Sequence, residues 1–529
     1  MMRRTILLAI ALLAAVNLAA ADTYPRQPIG AIHYVFHLEL RDDTDEIAGE
    51  TAATLELLEQ GVTEVSFDLA SAAGGKGMTV SEVSAGGRPL RFAHENSRLR
   101  ISLPSPSRAL ESVTVVVKYR GVPVSGLRIG ANKFGERCFF GESWPDKARQ
   151  WLPTIDHISY KATGEFVVTA PAHYQVVSNG VLVEEMDLPG DLRRTHWRQP
   201  EPIAPWLYTI GVGRFAVHHA DAVMGTPLET WVFSRDRDAG RKAFELPARQ
   251  AIEFFSDLVG PYPYRKLANV EASGFGGGME HATAIAYGEA AIDGRPIQTL
   301  VAHEIAHAWF GDGVTERDWD EVWLSEGFAT FLTNLFVEHV NGHDAFTAAL
   351  ARDRDRVIAA EKKSPDTPII HRNLSNLDKV LNTFVYQKGG WVLHMLRERI
   401  GAESFRTGLR TYYQRYLNRT ATTDGFRQVM EAASGQDLSA FFRQWLNRPG
   451  VPAVAATWHY DAARNALDIE VSQTQQDDPF ELPLEFGIRI DETQPLRVEK
   501  MALTDRRQRT TITLDPNVRA LVDGSIVRR

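Results

Sequence analysis

Alternating apolar and polar residues dominate the first part of the chain. The clearest runs are AIHYVFHLEL (Ala31–Leu40), VTEVSFDLA (Val62–Ala70) and SVTVVVKYR (Ser112–Arg120). A period of two, rich in β-branched residues and interrupted by glycine turns, is typical of strands with one buried face. The pattern predicts a large all-β domain over residues 22–215.

A helical period replaces this alternation after residue 215. Apolar residues recur at helical spacing in four segments, which are Ala239–Val259, Ile297–Gly311, Asp320–Gly342 and Asn382–Gly401. Gly-Pro follows the first segment and Asn-Gly ends the third, as is common at helix C-termini. We predict a mixed α/β and helical domain over residues 216–450.

Short strand patterns return after the turn Arg448–Pro452. They are AATWHY, ALDIEVSQ, LEFGIRI, TTITL and RALVDG. Short strands separated by turns are typical of a small sandwich, which we predict over residues 451–529. The predicted fold class is therefore multidomain α+β, with β, mixed and β domains in that order.

The N-terminus has the features of a secretory signal peptide over residues 1–21. Arg3 and Arg4 precede the short apolar run Thr5–Val16, and Ala19–Ala21 supplies small residues for cleavage before Asp22. The run is shorter than the roughly 20 residues of a membrane span, and no later segment is long enough. We expect an exported protein, periplasmic or secreted, with no stable span after cleavage; an uncleaved anchor is the alternative.

The net charge limits the partners that the chain can bind, and the cysteine content limits its disulfides. The formal net charge is −9, and removing residues 1–21, with two arginines and no acidic residue, makes it −11. An acidic chain is a poor candidate for binding nucleic acid or an anionic membrane. Because Cys138 is the one cysteine, no internal disulfide can form.

The segment HEIAH carries the strongest chemical signal. His303 and His307 stand four residues apart on a predicted helix, so both imidazoles lie on one face and can bind the same Zn²⁺. Glu326, on the next predicted helix, is the candidate third ligand. Three protein ligands leave a fourth position open, which is typical of a catalytic site with one zinc per chain.

Glu304, between the two histidines, is the candidate general base. In a site of this kind zinc lowers the pKa of its bound water to about 7, and a carboxylate beside it can accept the proton and pass it to the leaving amine. Glu321 is either a carboxylate that holds a ligating histidine or a solvated acid at a helix start.

The glycine run GGGMEH, Gly276 to His281, precedes this helix. Glycines allow another backbone to approach, so Gly277 and Gly278 are expected to let a substrate pair with the edge of this strand. Glu280 then closes the groove, where its carboxylate can bind the protonated α-amine of a peptide.

Taken together, HEIAH, Glu326 and the upstream GGMEH resemble the zinc aminopeptidase N family of gluzincin metallopeptidases. FVYQKGGWVLHML, WLPTIDHISYKATGEFVVTAP and FFRQWLNRPGVP are similar to further family segments, so the resemblance covers nearly the whole chain. It implies an N-terminal saddle-like β domain, a thermolysin-like zinc domain and a C-terminal β-sandwich. It also implies that Tyr386 donates to the oxyanion of the tetrahedral intermediate. Many members add a C-terminal helical domain, which we expect this chain to lack.

Two departures from the family pattern concern the substrate amine. The family's Gly-x-Met-Glu-Asn ends here in His281 rather than asparagine. In GESWPDKARQWLP, the segment similar to the family's amine-binding loop, Glu142 fills one position and Trp144 stands at the other. We expect Glu142 to assist Glu280, His281 to border the amine site, and Trp144 to shape the first subsite.

The predicted function is a zinc aminopeptidase that removes N-terminal residues from peptides with a free N-terminus. A thermolysin-like endopeptidase is an alternative, although Glu280 would block its cleft. A non-catalytic peptide-binding protein is another alternative. Epoxide hydrolase activity occurs in one branch of the family, but no feature of this sequence favours it. The sequence gives no indication of the oligomeric state.

Overall fold

The computed structural model describes Tyr24 and residues 26–370, 376–488 and 497–514. The predicted signal peptide lies outside the described residues, as does the predicted strand RALVDG. None of the described helices combines the length and apolar character needed to cross a membrane.

The N-terminal part of the chain is built from β-strands, as the alternation predicts. Its strands are β1 (Ile29–Glu39), β2 (Ile47–Leu57), β3 (Glu64–Asp68), β4 (Gly77–Ala85), β5 (Arg88–Pro89), β6 (Phe92–Glu95), β7 (Arg98–Ser102), β8 (Glu111–Val122), β9 (Leu127–Ala131), β10 (Arg137–Gly141), β11 (Ala162–Pro171), β12 (Gln175–Ser178), β13 (Val181–Leu188), β14 (Leu192–Ile203) and β15 (Ile210–Gly213).

These strands form three sheets whose apolar faces build the core. Eight strands form the largest sheet, in the order β13-β14-β11-β1-β2-β8-β4-β5. Smaller sheets have the orders β12-β15-β10-β9 and β3-β7-β6. On β1, Tyr34, Phe36 and Leu38 alternate with more exposed residues and are buried, which is the period of two read from the sequence.

The middle of the chain combines a sheet with helices. Its elements are β16 (Phe215–Val223), β17 (Thr226–Phe233), α1 (Arg237–Leu258), β18 (Leu267–Ala272), β19 (Gly278–Met279), β20 (Ala284–Gly288), α2 (Gln298–His307), β21 (Val314–Glu316), α3 (Trp323–Asn341), α4 (His343–Glu361), α5 (Gly389–Ile400), α6 (Ala402–Tyr416), β22 (Arg419–Ala421), α7 (Thr423–Ser434) and α8 (Ser439–Leu446).

The five-stranded sheet of this part has the order β16-β17-β18-β20-β19. Strands β17, β18 and β20 run parallel, and β19 pairs antiparallel with β20 at the edge. Among the described residues, β19 has no strand partner on its other side. The glycine run of the sequence therefore ends in an edge strand, as predicted.

Helix α2 is shorter than the periodicity predicts. The expected segment reached Gly311, but the helix ends at His307. The amides of Asp312, Gly313 and Val314 donate to the carbonyls of His307, Ala308 and Trp309, so the chain turns back on itself. Gly311 has φ +124°, a conformation that favours glycine.

The remaining strands are β23 (Val454–Asp461), β24 (Ala466–Gln473), β25 (Leu482–Ile488), β26 (Arg497–Leu503) and β27 (Arg507–Thr513). They form a three-stranded sheet, β23-β24-β27, and the pair β25-β26. Four of these strands overlap predicted ones, and β26 was not predicted.

The chain divides into two compact units. One contains the described residues up to Arg354 and within Ile370–Leu438, and the other contains Asp355–Ile369 with the described residues from Ser439 onwards. The second unit includes α8 as well as the strands expected after residue 450. The three predicted domain boundaries stay predictions.

Candidate metal and catalytic site

Two neighbouring helices bring together the three predicted zinc ligands. His303 and His307 lie one turn apart on α2, and Glu326 lies in the first turn of α3. The Nε2 atoms of the two histidines are 3.3 Å apart. Oε2 of Glu326 is 3.4 Å from Nε2 of His303 and 3.3 Å from Nε2 of His307.

This spacing fits a zinc ion. Ligand atoms about 2.0–2.1 Å from a tetrahedral metal lie roughly 3.3 Å from one another. Oε2 of Glu326 is buried, and none of the described residues donates a hydrogen bond to it. Burial raises the pKa of the Glu326 carboxyl, but His307 and His303 outweigh this effect and hold that pKa well below its ordinary range. The donor set is thus two imidazoles and a charged carboxylate, which suits Zn²⁺.

Ser325 is a site residue that the sequence analysis missed. Its Oγ lies 2.9 Å from Nδ1 of His307, and the carbonyl oxygen of Phe310 lies 3.3 Å from the same nitrogen. With Nε2 facing the other ligands, Nδ1–H can donate to these oxygens and fix the ring orientation. A β-carbon at Gly311 would come within 2.4 Å of the Ser325 hydroxyl. The sequence feature that could have pointed to Ser325 is its position directly before the candidate ligand Glu326.

Glu321 does not hold a histidine in this structure. Its Oε1 accepts a hydrogen bond of 2.8 Å from the amide of Thr423, at the start of α7. The side chain is half-buried rather than fully solvated. The first reading of this acid is therefore wrong. The second is right about its place at a helix start, just before α3, but the carboxylate is partly buried and accepts from the first amide of α7.

A second cluster joins the candidate base to the candidate amine anchor. Carboxylate oxygens of Glu280 and Glu304 and a ring nitrogen of His307 all lie within 4.8 Å of one another. Glu280 is 7% exposed and Glu304 is 5% exposed. Burial, followed by the nearby Glu280 charge, raises the pKa of Glu304 well above its ordinary value. Burial also raises the pKa of Glu280, although His307 opposes that rise.

Gly278 has a different neighbour from the one predicted. A β-carbon at this position would lie 2.1 Å from Oε1 and 2.2 Å from Cδ of Glu304. The missing side chain therefore makes room for the Glu304 carboxylate. A β-carbon at Gly276 or Gly277 would meet no atom within 4 Å, so the space where these side chains would stand is open. Gly278 therefore accommodates the candidate base, whereas Gly276 and Gly277 border free space.

Tyr386 reaches the same site from a π-helical segment, Phe384–Lys388, that precedes α5. Such single π turns often occur at functional sites. The hydroxyl of Tyr386 donates to Oε1 of Glu326 at 2.7 Å, and its ring stacks on His303 with centroids 6.1 Å apart. Burial raises its pKa well above the ordinary value, so the hydroxyl stays a donor. Its predicted role toward an oxyanion stays a prediction.

A close crossing of α3 and α5 positions Tyr386. A β-carbon at Gly327 would lie 3.1 Å from Cα of Gly389 and 3.2 Å from the carbonyl oxygen of Val385. Gly390 similarly faces Thr330 at 3.1 Å. The two glycines of YQKGGW thus let α5 approach α3 next to Glu326.

The structure does not bring all the predicted amine-site residues together. His281 is fully buried, burial lowers its pKa to about 3, and neither ring nitrogen has a hydrogen-bond partner among the described residues. Glu142 is half-buried after β10, and no contact among the described residues joins its carboxylate to Glu280. Trp144 packs edge-on against Trp319, with ring centroids 5.7 Å apart. The roles of these three residues stay predictions.

Comparison with protein families gives two matches. Residues 31–207 match the peptidase M1 N-terminal domain, and residues 244–445 match the peptidase family M1 domain. The two matches together span more than two thirds of the chain. The chain belongs to the peptidase M1 family. The resemblance seen in the sequence is therefore confirmed, as is a β-rich N-terminal domain followed by an M1 catalytic domain.

Several curated proteins are similar to this M1 chain. Glutamyl aminopeptidase of Rattus norvegicus is 25% identical over 71% of this chain and 41% of its own length. Leucyl aminopeptidase of Saccharolobus solfataricus is 25% identical over 72% of this chain and 49% of its own. Probable aminopeptidase 2 of Sulfurisphaera tokodaii is 28% identical over 58% of this chain and 41% of its own length. The M1 chain spans less than half the length of these relatives.

The fold of this M1 chain also occurs in solved structures. The M1 zinc metallopeptidase from Deinococcus radiodurans superposes with a TM-score of 0.71 at 24% identity, covering 81% of this chain and 95% of that one. A mutant of that protein bound to a Tyr-Ser-Ala substrate gives a TM-score of 0.70. These likenesses establish a shared fold.

Proposed function

We propose that this protein is a zinc-dependent aminopeptidase, which hydrolyses the N-terminal bond of peptides with a free N-terminus. The observation that carries the proposal is the position of Glu280. Its buried carboxylate lies within 4.8 Å of both the candidate base Glu304 and the candidate ligand His307. A negative charge at that point suits the protonated amine of a peptide, which has a pKa of about 7.7–8.0.

His303, His307 and Glu326 would hold one zinc ion per chain, with Ser325 fixing the ring of His307. When bound there, zinc supplies Lewis-acid chemistry, which polarises a peptide carbonyl and makes water more acidic. The remaining steps belong to side chains of this protein.

Glu304 acts as the proton carrier of the reaction. It takes a proton from the attacking water and delivers it to the nitrogen of the departing peptide. Gly278 leaves room for its carboxylate beside β19. Tyr386, released from Glu326, donates a hydrogen bond from its hydroxyl to the developing oxyanion and keeps its proton. Glu280 pairs with the α-amine and so determines which peptide bond reaches the base.

Related proteins support peptides as the substrate class. A mutant of the Deinococcus radiodurans M1 zinc metallopeptidase is bound to a Tyr-Ser-Ala substrate, and two structures of a two-domain M1 zinc metallopeptidase mutant hold L-tryptophan and L-arginine. An endopeptidase would need the groove to continue past Glu280. A protein that only binds peptides would have no use for the buried base.

Zinc removal and a base variant test the proposal together. The zinc-loaded protein should hydrolyse a panel of aminoacyl reporters, and chelation should abolish turnover until zinc is restored. Glu304→Gln should retain zinc and lose about 10²–10⁴-fold in kcat. Glu253→Gln, on the exposed face of α1, is the matched control. Normal turnover by zinc-loaded Glu304→Gln would contradict the proposal.

We further propose a thermolysin-like arrangement of the M1 domain, a saddle-like N-terminal domain and a β-sandwich formed by β23 to β27. Export is also a proposal, supported by the N-terminal Arg-Arg and apolar run. N-terminal sequencing of the protein from its native cell fraction should give a chain that begins near Asp22. A chain that retains Arg3 and Arg4 would contradict cleavage.

A further inference from the structure

The position of the Glu280 carboxylate depends on the backbone that carries it. This carboxylate is buried, and among the described residues no other residue donates a hydrogen bond to it. His307 acts on it through its charge. Glu280 belongs to the short segment between β19 and β20. Whatever fixes the backbone of that segment therefore also fixes the candidate amine anchor.

A tight turn directly after Glu280 leads into β20. The amide of Ala284 donates to the carbonyl oxygen of His281 at 2.9 Å, which closes the turn. Thr283, the third residue of the turn, is buried and has φ +67°. Glycine or asparagine is usual at such a position, and a β-branched residue in this conformation is strained. Strain of this kind persists only where the surroundings hold the residue in place.

The N-terminal domain supplies contacts that hold this turn. Asn179 and Gly180 connect β12 to β13 and lie within the M1 N-terminal match, whereas the turn lies within the M1 domain match. The amide of Gly180 donates to Oγ1 of Thr283 at 2.6 Å. Nδ2 of Asn179 donates to the carbonyl oxygen of Ala282 at 2.7 Å. Two adjacent residues of one domain therefore bind two adjacent residues of the turn in the other.

Asn179 and Gly180 are themselves fixed. The Asn179 side chain is fully buried; its Nδ2 also donates to the carbonyl oxygen of Leu207 at 3.0 Å, and its Oδ1 accepts from the amide of Thr209 at 2.9 Å. This amide group cannot rotate without losing a buried hydrogen bond. Gly180 has φ +84°, and a β-carbon there would lie 1.9 Å from the carbonyl oxygen of Arg198. The turn is thus held by a rigid support.

We propose that Asn179 and Thr283 are positioning residues for the amine anchor. Through them the N-terminal domain holds the turn that follows Glu280, and so determines where the α-amine of the substrate binds. The inference rests on the proposed aminopeptidase function and deepens it. The base Glu304 stands on α2, a different element, so these two residues should act on amine binding rather than on the base.

A double-mutant cycle with Glu280 tests whether Asn179 acts through the anchor. The zinc-loaded variants are assayed with the aminoacyl reporter that the wild type hydrolyses best. Asn179→Ala should lower kcat/KM by roughly 10- to 100-fold, since a displacement of about 1 Å can cost on the order of 10²-fold. With Glu280→Ala already present there is no carboxylate to misplace, so Asn179→Ala should then cost at most about twofold. Partial misfolding would lower kcat/KM equally in both backgrounds and cannot mimic this difference.

A conservative pair of variants at Thr283 tests the second contact. Thr283→Val keeps the shape of the side chain but leaves the amide of Gly180 without its acceptor, so kcat/KM should fall by about 10-fold when Glu280 is present. Thr283→Ser keeps a hydroxyl that can accept this hydrogen bond and should stay within about twofold of the wild type. Zinc content should be unchanged in both variants.

Asn132→Ala is the matched control for Asn179→Ala. Asn132 is also a buried asparagine, and its Oδ1 accepts from the amides of Phe134 and Glu136 within the turn between β9 and β10. Both substitutions remove buried hydrogen bonds, so both should lower Tm. Only Asn179→Ala should lower kcat/KM by more than about twofold.

Two results would overturn the inference. One is a kcat/KM that Asn179→Ala leaves unchanged, or lowers by the same factor with and without Glu280. The other is equal kcat/KM for Thr283→Val and Thr283→Ser. Each result decides on its own, so a variant that fails to fold leaves the other test in force. Either result, with the wild type still hydrolysing the reporter, refutes this inference alone. Absence of reporter hydrolysis by the zinc-loaded wild type would refute the proposed function and this inference with it.

Discussion

Gly278 and Ser325 act on the site through their contacts with other residues. Gly278 leaves the space that the Glu304 carboxylate fills, and Ser325 contacts the outer nitrogen of His307. The sequence identified the two histidines because spacing on a helix dictates which side chains meet, and Glu326 because it is an acid on the next predicted helix. It could not identify these two contacts, since they depend on how β19 and α3 pack against α2. Nor could it show that the ring nitrogens of buried His281 have no hydrogen-bond partner among the described residues.

Gly278→Ala should therefore impair the base without removing the metal ligands. Its β-carbon would come within 2.1 Å of Glu304, so the carboxylate must move by more than 1 Å. A displacement of about 1 Å can cost on the order of 10²-fold in rate, and we expect that loss in kcat with zinc content unchanged. Gly276→Ala, where a β-carbon meets nothing, should stay within about twofold. Equal kcat for both variants would contradict this role of Gly278.

Helices α3 and α5 form the element pair on which Tyr386 depends. The sequence predicted both helices from their apolar period, and it placed Tyr386 through a family resemblance. It did not predict the π-helical segment Phe384–Lys388 or the close crossing at Gly327 and Gly389. Periodicity describes one helix at a time, whereas a crossing depends on small residues that face each other on two helices.

Gly327→Ala tests that crossing. Its β-carbon would lie 3.1 Å from the Gly389 backbone, so α5 must shift by a few tenths of an ångström. We expect unfolding free energy to fall by about 1–3 kcal/mol, the usual cost of overpacking, and kcat to fall as Tyr386 moves. Gly408→Ala on α6, whose β-carbon would meet the flexible thioether of Met430, should leave kcat unchanged. Thermal unfolding and kcat are measured on both variants. A wild-type kcat for Gly327→Ala would contradict the role of the crossing in positioning Tyr386.

At the scale of the whole molecule, the order of β-rich and mixed regions could be predicted because a helical period follows the alternating one. The change comes later than the predicted residue 215, since strands continue to Phe233 and the first helix begins at Arg237. The end of the chain was harder to predict. Strand β26, RVEKMAL, carries three charged residues in its first four positions and buries only Met501 and Leu503, and it is defined by its pairing with β25. A pairing of this kind depends on a neighbouring strand, which local pattern does not encode.

At this scale, Glu280 is proposed to close the substrate groove. It directly follows the edge strand β19, and its carboxylate lies within 4.8 Å of Glu304 and His307. The groove should therefore position a peptide by its amine. Glu280→Ala removes one partner of a buried charge pair worth about 2–5 kcal/mol, so kcat/KM on free-amine peptides should fall roughly 30- to several-thousand-fold.

The most direct test of the central claim compares one peptide with a free N-terminus and the same peptide N-acetylated, both given to the zinc-loaded wild type. Acetylation removes the positive charge that Glu280 is proposed to bind and adds bulk where the groove closes. We predict rapid release of the first residue from the free peptide and no detectable cleavage of the acetylated one. Equal rates for the two peptides, followed by mass spectrometry of the products, would contradict the account and indicate an endopeptidase.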